Sequence, residues 1–194
     1  MSDGAPDLRG ALQRHQDGDP DAFALLVAQY RRPVYSYLIR CGVTAEDRDD
    51  LFQAIFLKIH RSAGQYQPDR PAHPWIFTVV ANEVRTYWRR RKVRALVFAT
   101  ADNPKEPEDP APDGQRTAEA RETVAWLEEE IRQLPLAQRE VLILASLEGR
   151  PLGEVAEVLG IPLNTVKTHL RRARLSLSER LARQHAGKRV EERS

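Results

Sequence analysis

Residues 101–114 read ADNPKEPEDPAPDG. Four prolines, five carboxylates and one lysine fill this stretch, and no large apolar side chain interrupts it. It buries too little surface to offset the entropy of ordering it, so it is expected to remain a flexible, acidic, Pro-rich linker. A chain broken in this way has to close a separate core on each side. Its 194 residues, 41% of them hydrophobic, suffice for two small domains. The expected division is a flexible tail over 1–18, a first domain over 19–98, the linker over 99–116, a second domain over 117–185 and a C-terminal tail over 186–194.

The formal net charge is only +2, but the charges are segregated. Residues 85–94 hold six basic side chains and no acid, the linker is acidic, and residues 167–183 are basic again. Two basic regions separated by an acidic one suggest two sites for a polyanion. No apolar run approaches the roughly 20 residues that span a bilayer, and residues 1–10 lack a basic then apolar secretion signal. A cytoplasmic protein without membrane insertion is expected. Cys41 is the single cysteine, and His15, His60, His73, His169 and His185 show no ligand spacing, so no metal site and no cofactor are expected.

In the first half, Asp19-Pro20-Asp21 is a helix start, with Asp19 as cap and Pro20 at the first helical position. Phe23, Leu26, Val27 and Tyr30 follow at helical spacing. Pro33 should kink or split this helix before Val34, Tyr37 and Leu38 continue it, and Gly42 ends it. Thr44 is the expected cap of a second helix whose first turns hold Glu46, Asp47, Asp49 and Asp50, where a helix N-terminus favours carboxylates. Leu51, Phe52, Ile55, Phe56 and Ile59 form its apolar side. Residues 66–74 carry three prolines and read as a rigid loop. A third helix is expected from Trp75. Its first half packs through Ile76, Val79 and Val80, and its second half mixes Tyr87 and Trp88 with Arg85, Arg89, Arg90, Arg91, Lys92 and Arg94. Rings among guanidinium groups suit unpaired nucleic acid. A solvated basic face with two core aromatics is the alternative.

In the second half, Val124, Leu127, Ile131 and Leu134 form one stripe ended by Pro135, and Val141, Leu142, Leu144 and Ala145 a second, closed by Gly149. Residues 151–159 form a short helix with Leu152, Val155, Ala156 and Leu159 expected inside, followed by Gly160 as turn residue. In the last helix Val166, Leu170, Ala173, Leu177 and Leu181 make a continuous apolar stripe. At about 100° per residue, Asn164, Thr168 and Arg171 fall opposite it, flanked by Thr165, Lys167 and Arg172, while Leu175 also points outward. A short helix, a Gly turn and a helix with such a face form a helix-turn-helix that offers its second helix to a DNA groove.

Three segments in series resemble the extracytoplasmic-function (ECF) group of bacterial RNA polymerase sigma factors. DDLFQAIFLKIHR resembles the family's helix for binding core polymerase, which implies that role for Asp50, Leu51, Gln53 and Phe56. YQPDRPAHPWIFTVVANEVRTYWRR resembles the segment that recognises and melts the −10 element, implying contacts by Asp69, Arg70, His73, Trp75, Asn82, Arg85, Tyr87, Trp88 and Arg89. LPLAQREVLILASLEGRPLGEVAEVLGIPLNTVKTHLRRARLSL resembles the −35-binding domain, implying contacts by Asn164, Thr165, Lys167, Thr168, Arg171 and Arg172. Ala54 stands where the family often has an acid, and Thr86 where it usually has Asp. The resemblance implies an all-α fold of two small helical domains. It also implies core RNA polymerase and promoter DNA as partners, an anti-sigma factor as a further one, and a linker whose charge imitates RNA in the polymerase's exit path.

Two other readings fit parts of the sequence. A dimeric helix-turn-helix regulator independent of polymerase would need an effector or dimerisation domain, and residues 19–98 have few glycines and no phosphate loop. An enzyme such as a nuclease needs a metal-binding carboxylate cluster or a nucleophile with its base. Here the acids sit at helix starts and in the linker, so no catalytic residues are expected.

Overall fold

The computed structural model of the chain describes residues 8–98 and 118–191, with side chains over 10–95 and 123–184. Its regular elements are α1 (Leu8–Gln16), α2 (Pro20–Arg40), α3 (Ala45–Ser62), a 3₁₀ turn (Ala63–Gln65), α4 (Ala72–Phe98), α5 (Ala118–Arg132), α6 (Leu136–Leu142), a π turn (Ile143–Leu147), α7 (Leu152–Leu159) and α8 (Leu163–Glu191).

 All regular structure among the described residues is helical. The chain divides into two compact units, one built mainly on α1–α4 and the other mainly on α5–α8. The all-α, two-domain architecture expected from the sequence is therefore present. The expected linker over 99–116, and Thr117 after it, lie outside the described residues.

The first unit begins earlier than expected. Residues 8–16, read from sequence as part of a flexible tail, form α1, and Leu12 and Ala11 are buried in the core. A nine-residue helix is marginal alone, so its order comes from this packing, which a short sequence with few apolar positions did not advertise. Asp19 then caps α2, its Oδ1 accepting from the N–H groups of Asp21 (2.9 Å) and Ala22 (3.3 Å). α2 runs unbroken through Pro33, which sits on its exposed side where water can satisfy the carbonyl freed one turn earlier. Thr44 occupies the cap position of α3, but its hydroxyl donates to Asp47 Oδ2 (2.9 Å) and not to the backbone.

α4 starts at Ala72, three residues before the expected Trp75. Pro74 is tolerated there because N–H groups in a helix's first turn have no intrahelical partner to lose. The core is closed by Leu26, Tyr30, Val34, Tyr37 and Leu38 of α2, Ile55 and Ile59 of α3, and Ile76, Phe77, Val80 and Val84 of α4. Tyr37 and Phe77 meet edge to face with centroids 5.7 Å apart, a geometry favoured by the ring quadrupoles. Lys58 and Glu83 pair at 2.5 Å, linking α3 to α4. Arg48, buried near the start of α3, donates from Nε to Val43 O at 3.0 Å.

In the second unit, Ile131, Leu134, Val141, Ile143, Leu144, Val155, Val166, Leu170 and Ala173 are buried. Arg139 Nη2 donates to Leu134 O (2.9 Å) and to Arg132 O, satisfying carbonyls left over at the end of α5. Seven expected core positions sit further out. Val124, Ala145, Leu152, Ala156 and Leu177 are half-buried, and Leu127 and Leu181 are exposed. Periodicity sets the side of α8 on which Leu181 lies, but not how far that side is covered. The backbone of α8 also stays helical to Glu191, through most of the expected 186–194 tail.

Candidate nucleic-acid interface

α7 and α8 meet at a sharp turn. Gly160 has φ 63, a left-handed conformation that costs a non-glycine residue roughly 1–2 kcal/mol. Gly160 N–H donates to Glu157 O (3.2 Å) and Ile161 N–H to Ala156 O (3.1 Å), the paired bonds of a Schellman motif. Pro162 then opens α8, its carbonyl accepting from Thr165 and Val166 at 2.8 and 3.1 Å. The turn thus fixes the direction in which α8 leaves.

Val166, Leu170 and Ala173 turn inward, while Asn164, Lys167, Thr168, Arg171 and Arg172 are exposed and Thr165 is half-buried. A helix with its side chains is about 10–12 Å across, which fits a major groove about 12 Å wide. Thr168 Oγ1 donates back to Asn164 O (2.9 Å), leaving its lone pairs as acceptors. Further along, Arg180 Nη1 donates to Glu130 Oε2 (2.5 Å) and Gln133 Oε1 (2.9 Å), bracing α8 against α5. The six residues expected at −35 therefore share one stretch of one helix, five of them exposed. Leu175, expected to point outward, is 53% exposed.

α4 divides its expected residues between two sides. Trp75, Asn82, Arg85 and Arg89 recur at steps of seven, three and four, so they fall in one stripe. Asn82 and Arg89 are exposed, and Trp75 and Arg85 are half-buried. Tyr87 points elsewhere. Its ring is buried, its hydroxyl donates to Asp47 Oδ2 at 2.8 Å and accepts from Arg91 Nη1 at 2.8 Å, and Arg91 reaches the same carboxylate at 3.7 Å. Tyr87 is a strut between α3 and α4 in place of the expected stacking platform. His73 is also drawn inward, stacked on Phe77 with centroids 4.3 Å apart and 3.5 Å from the Tyr30 hydroxyl. Trp88 stays half-buried, with the Arg91 guanidinium 5.8 Å from its ring centre.

The turn before α4 carries Asp69 and Arg70, and all of residues 67–71 are exposed. On α3, Asp50 and Gln53 are exposed and Leu51 is half-buried, but Phe56 is buried against Phe52, with centroids 4.6 Å apart. The outer position belongs to Leu57, 54% exposed, four residues after Gln53 and seven after Asp50. The same helical interval among Asp50, Gln53 and Leu57 is present in the sequence. Among the described residues no group of three or more His, Cys, Asp or Glu is placed to hold a metal ion, and no helix is long and apolar enough to cross a membrane.

The sequence profile of the Sigma-70 region 2 family matches residues 26–94, and that of Sigma-70 region 4 matches residues 125–177. Together they cover the faces described on α3, α4 and α8. The chain is 31% identical over 175 residues to the RNA polymerase sigma factor NccH of Alcaligenes xylosoxydans xylosoxydans, a match covering 89% of this chain and 94% of NccH. It is 30% identical over 177 residues to the ECF RNA polymerase sigma factor SigM of Mycobacterium tuberculosis, covering 91% and 85% of the two. Among solved structures, CnrH in complex with the cytosolic domain of CnrY superposes with a TM-score of 0.67 at 25% identity, covering 90% of this chain and 96% of that one. The Bartonella quintana sigma factor RpoE, solved with the anti-sigma factor NepR, shares the fold with a TM-score of 0.70 at 21% identity, over 82% and 96% of the chains. With both sigma regions in order and relatives 31% and 30% identical over most of their length, the chain belongs to the extracytoplasmic-function group of the sigma-70 family and is an RNA polymerase sigma factor.

Proposed function

We propose a division of labour within this sigma factor. Asn164, Thr165, Lys167, Thr168, Arg171 and Arg172 of α8 read the −35 element in the major groove. Asp69, Arg70, Trp75, Asn82, Arg85, Trp88 and Arg89 capture the −10 strand as it opens, with His73 and Tyr87 supporting them from inside. Asp50, Leu51, Gln53 and Leu57 form the face of α3 that docks on core polymerase, with Phe56 behind it. The observation that carries the reading is α8: a continuous exposed row of amide, hydroxyl and cationic groups backed by a buried apolar stripe. Such groups donate to phosphates and to base edges.

The work is done by binding energy. Extruding −10 bases costs a few kcal/mol, which stacking and hydrogen bonds in a fixed pocket offset. The protein needs no catalytic residue of its own, because bond formation belongs to the polymerase, and it acts in the cytoplasm where polymerase works. An anti-sigma factor is a further partner, in keeping with the sigma factor RpoE, which was solved with the anti-sigma factor NepR. The test is to incubate the protein with bacterial core RNA polymerase and transcribe a promoter library with and without it. Stable core binding and protein-dependent transcripts sharing −35 and −10 sequences are expected. Salt-sensitive duplex binding by a dimer that ignores core polymerase would overturn the reading in favour of an operator-binding regulator.

A further inference from the structure

We propose that Gln16, on the unexpected helix α1, is a positioning residue for −10 recognition: it holds the base of the 67–71 turn and so sets where Asp69 and Arg70 meet an extruded base. The inference rests on the reading that this turn faces −10 DNA.

Gln16 Nε2 donates to Ala63 O at 2.5 Å and to Tyr66 O at 3.0 Å. A primary amide carries two N–H donors on one nitrogen, so one side chain can hold two carbonyls together. Those carbonyls are where the turn begins. Ala63 O also accepts from Tyr66 N–H (2.9 Å), the Tyr66 hydroxyl donates to Arg70 O (2.7 Å), and Arg70 N–H donates to Gln67 O (3.0 Å). A chain of hydrogen bonds therefore runs from α1 through the 3₁₀ turn to Arg70. Tyr66 is buried, its ring 5.5 Å from that of Trp75, whereas residues 67–71 are exposed. The exposed residues are thus placed through the base that Gln16 grips.

α1 is anchored well enough to serve as the fixed point. Leu12 is fully buried, and the His15 ring lies 4.7 Å from Phe23 and 4.8 Å from His60. A turn already in its binding shape does not have to be ordered when the base arrives, which raises affinity and sharpens discrimination between bases. Gln16 touches no DNA in this scheme; it acts through Tyr66 and Arg70.

The test uses full-length protein in complex with core polymerase. The probe is a single-stranded −10 oligonucleotide from a promoter the complex transcribes, measured against the same oligonucleotide with one −10 base replaced. Gln16→Leu keeps the shape and removes both donors. It is expected to lower the ratio of the two affinities by about three- to ten-fold, the worth of one or two ordinary hydrogen bonds, with core binding and −35 duplex binding within about two-fold. Gln16→Lys, which restores donors at similar reach, should recover the ratio. An unchanged ratio in Gln16→Leu would overturn the proposal. So would a matching fall in core and −35 binding, or loss of the helical circular-dichroism signal, because Gln16 would then serve folding alone. Arg70→Ala separates this inference from the reading beneath it. If Arg70→Ala also leaves the ratio unchanged, the turn does not face the −10 strand; if it lowers the ratio while Gln16→Leu does not, only the brace has failed.

Discussion

α4 and α8 are the two long helices with basic exposed faces, and they differ in what lies among the cations. Over residues 164–172 of α8 the only ring is the half-buried His169 imidazole, and the outward groups are Asn, Thr, Lys and Arg. α4 sets Trp88 among its arginines, carries Trp75 in its first turn and leads in from an exposed turn. Hydrogen-bonding groups on a straight helix suit the edges of paired bases, whereas rings beside guanidinium groups suit bases that have left the stack. The two regions teach that one charge signal, a basic helix, serves two tasks, and that the residues between the charges decide which.

The contrast breaks first at α8. Arg171→Ala is expected to weaken −35 duplex binding by about 1–3 kcal/mol, roughly five-fold or more, with core polymerase binding intact. Equal loss of both in a binding titration would contradict the assignment. Trp88→Ala is expected to cost about 1–3 kcal/mol of single-strand stacking, seen as impaired open complexes with closed complexes retained. Unchanged permanganate reactivity at −10 would rule out that role.

Tyr87 sharpens the comparison from inside. Tyr87→Phe keeps the ring and removes the hydroxyl that joins Asp47 and Arg91. It should destabilise the first unit by about 0.5–1.5 kcal/mol in urea unfolding while leaving −10 affinity unchanged at saturating core polymerase. A selective loss of −10 affinity would return Tyr87 to the DNA face. The smallest effect concerns His15. Burial, and then the neighbouring His60, hold its pKa below the ordinary 6.5, against the opposing pull of Asp19. The unfolded chain therefore binds the proton more readily, and this contribution to stability is lost as pH falls through 6.5. The first unit should melt slightly lower at pH 5.5 than at 7.5, with the difference reduced in His15→Phe.

Much of this was legible in the sequence, for identifiable reasons. The α8 face could be read because a 3.6-residue period sorts residues onto opposite sides without knowledge of their partners, and because Gly160 marks the turn. The same rule fails where the partner layer decides. Leu181 fits the stripe but lies exposed, and Phe56 and Leu57 are adjacent positions whose inner and outer roles depend on where Phe23 of α2 meets α3. Tyr87 looked like a stacking residue beside Trp88, and only its contact with Asp47, forty positions away, shows it turned inward. α1 was missed for the same reason: its anchors, Ala63 and Tyr66, lie about fifty positions along the chain.

The division of labour is tested most directly on one promoter with two probes. Holoenzymes carrying Arg171→Ala or Trp88→Ala would be assayed side by side for closed-complex affinity by footprinting and for −10 opening by permanganate. The account predicts opposite defects: Arg171→Ala loses affinity but opens DNA normally once bound, and Trp88→Ala binds normally but fails to open it. The same defect in both variants would contradict it.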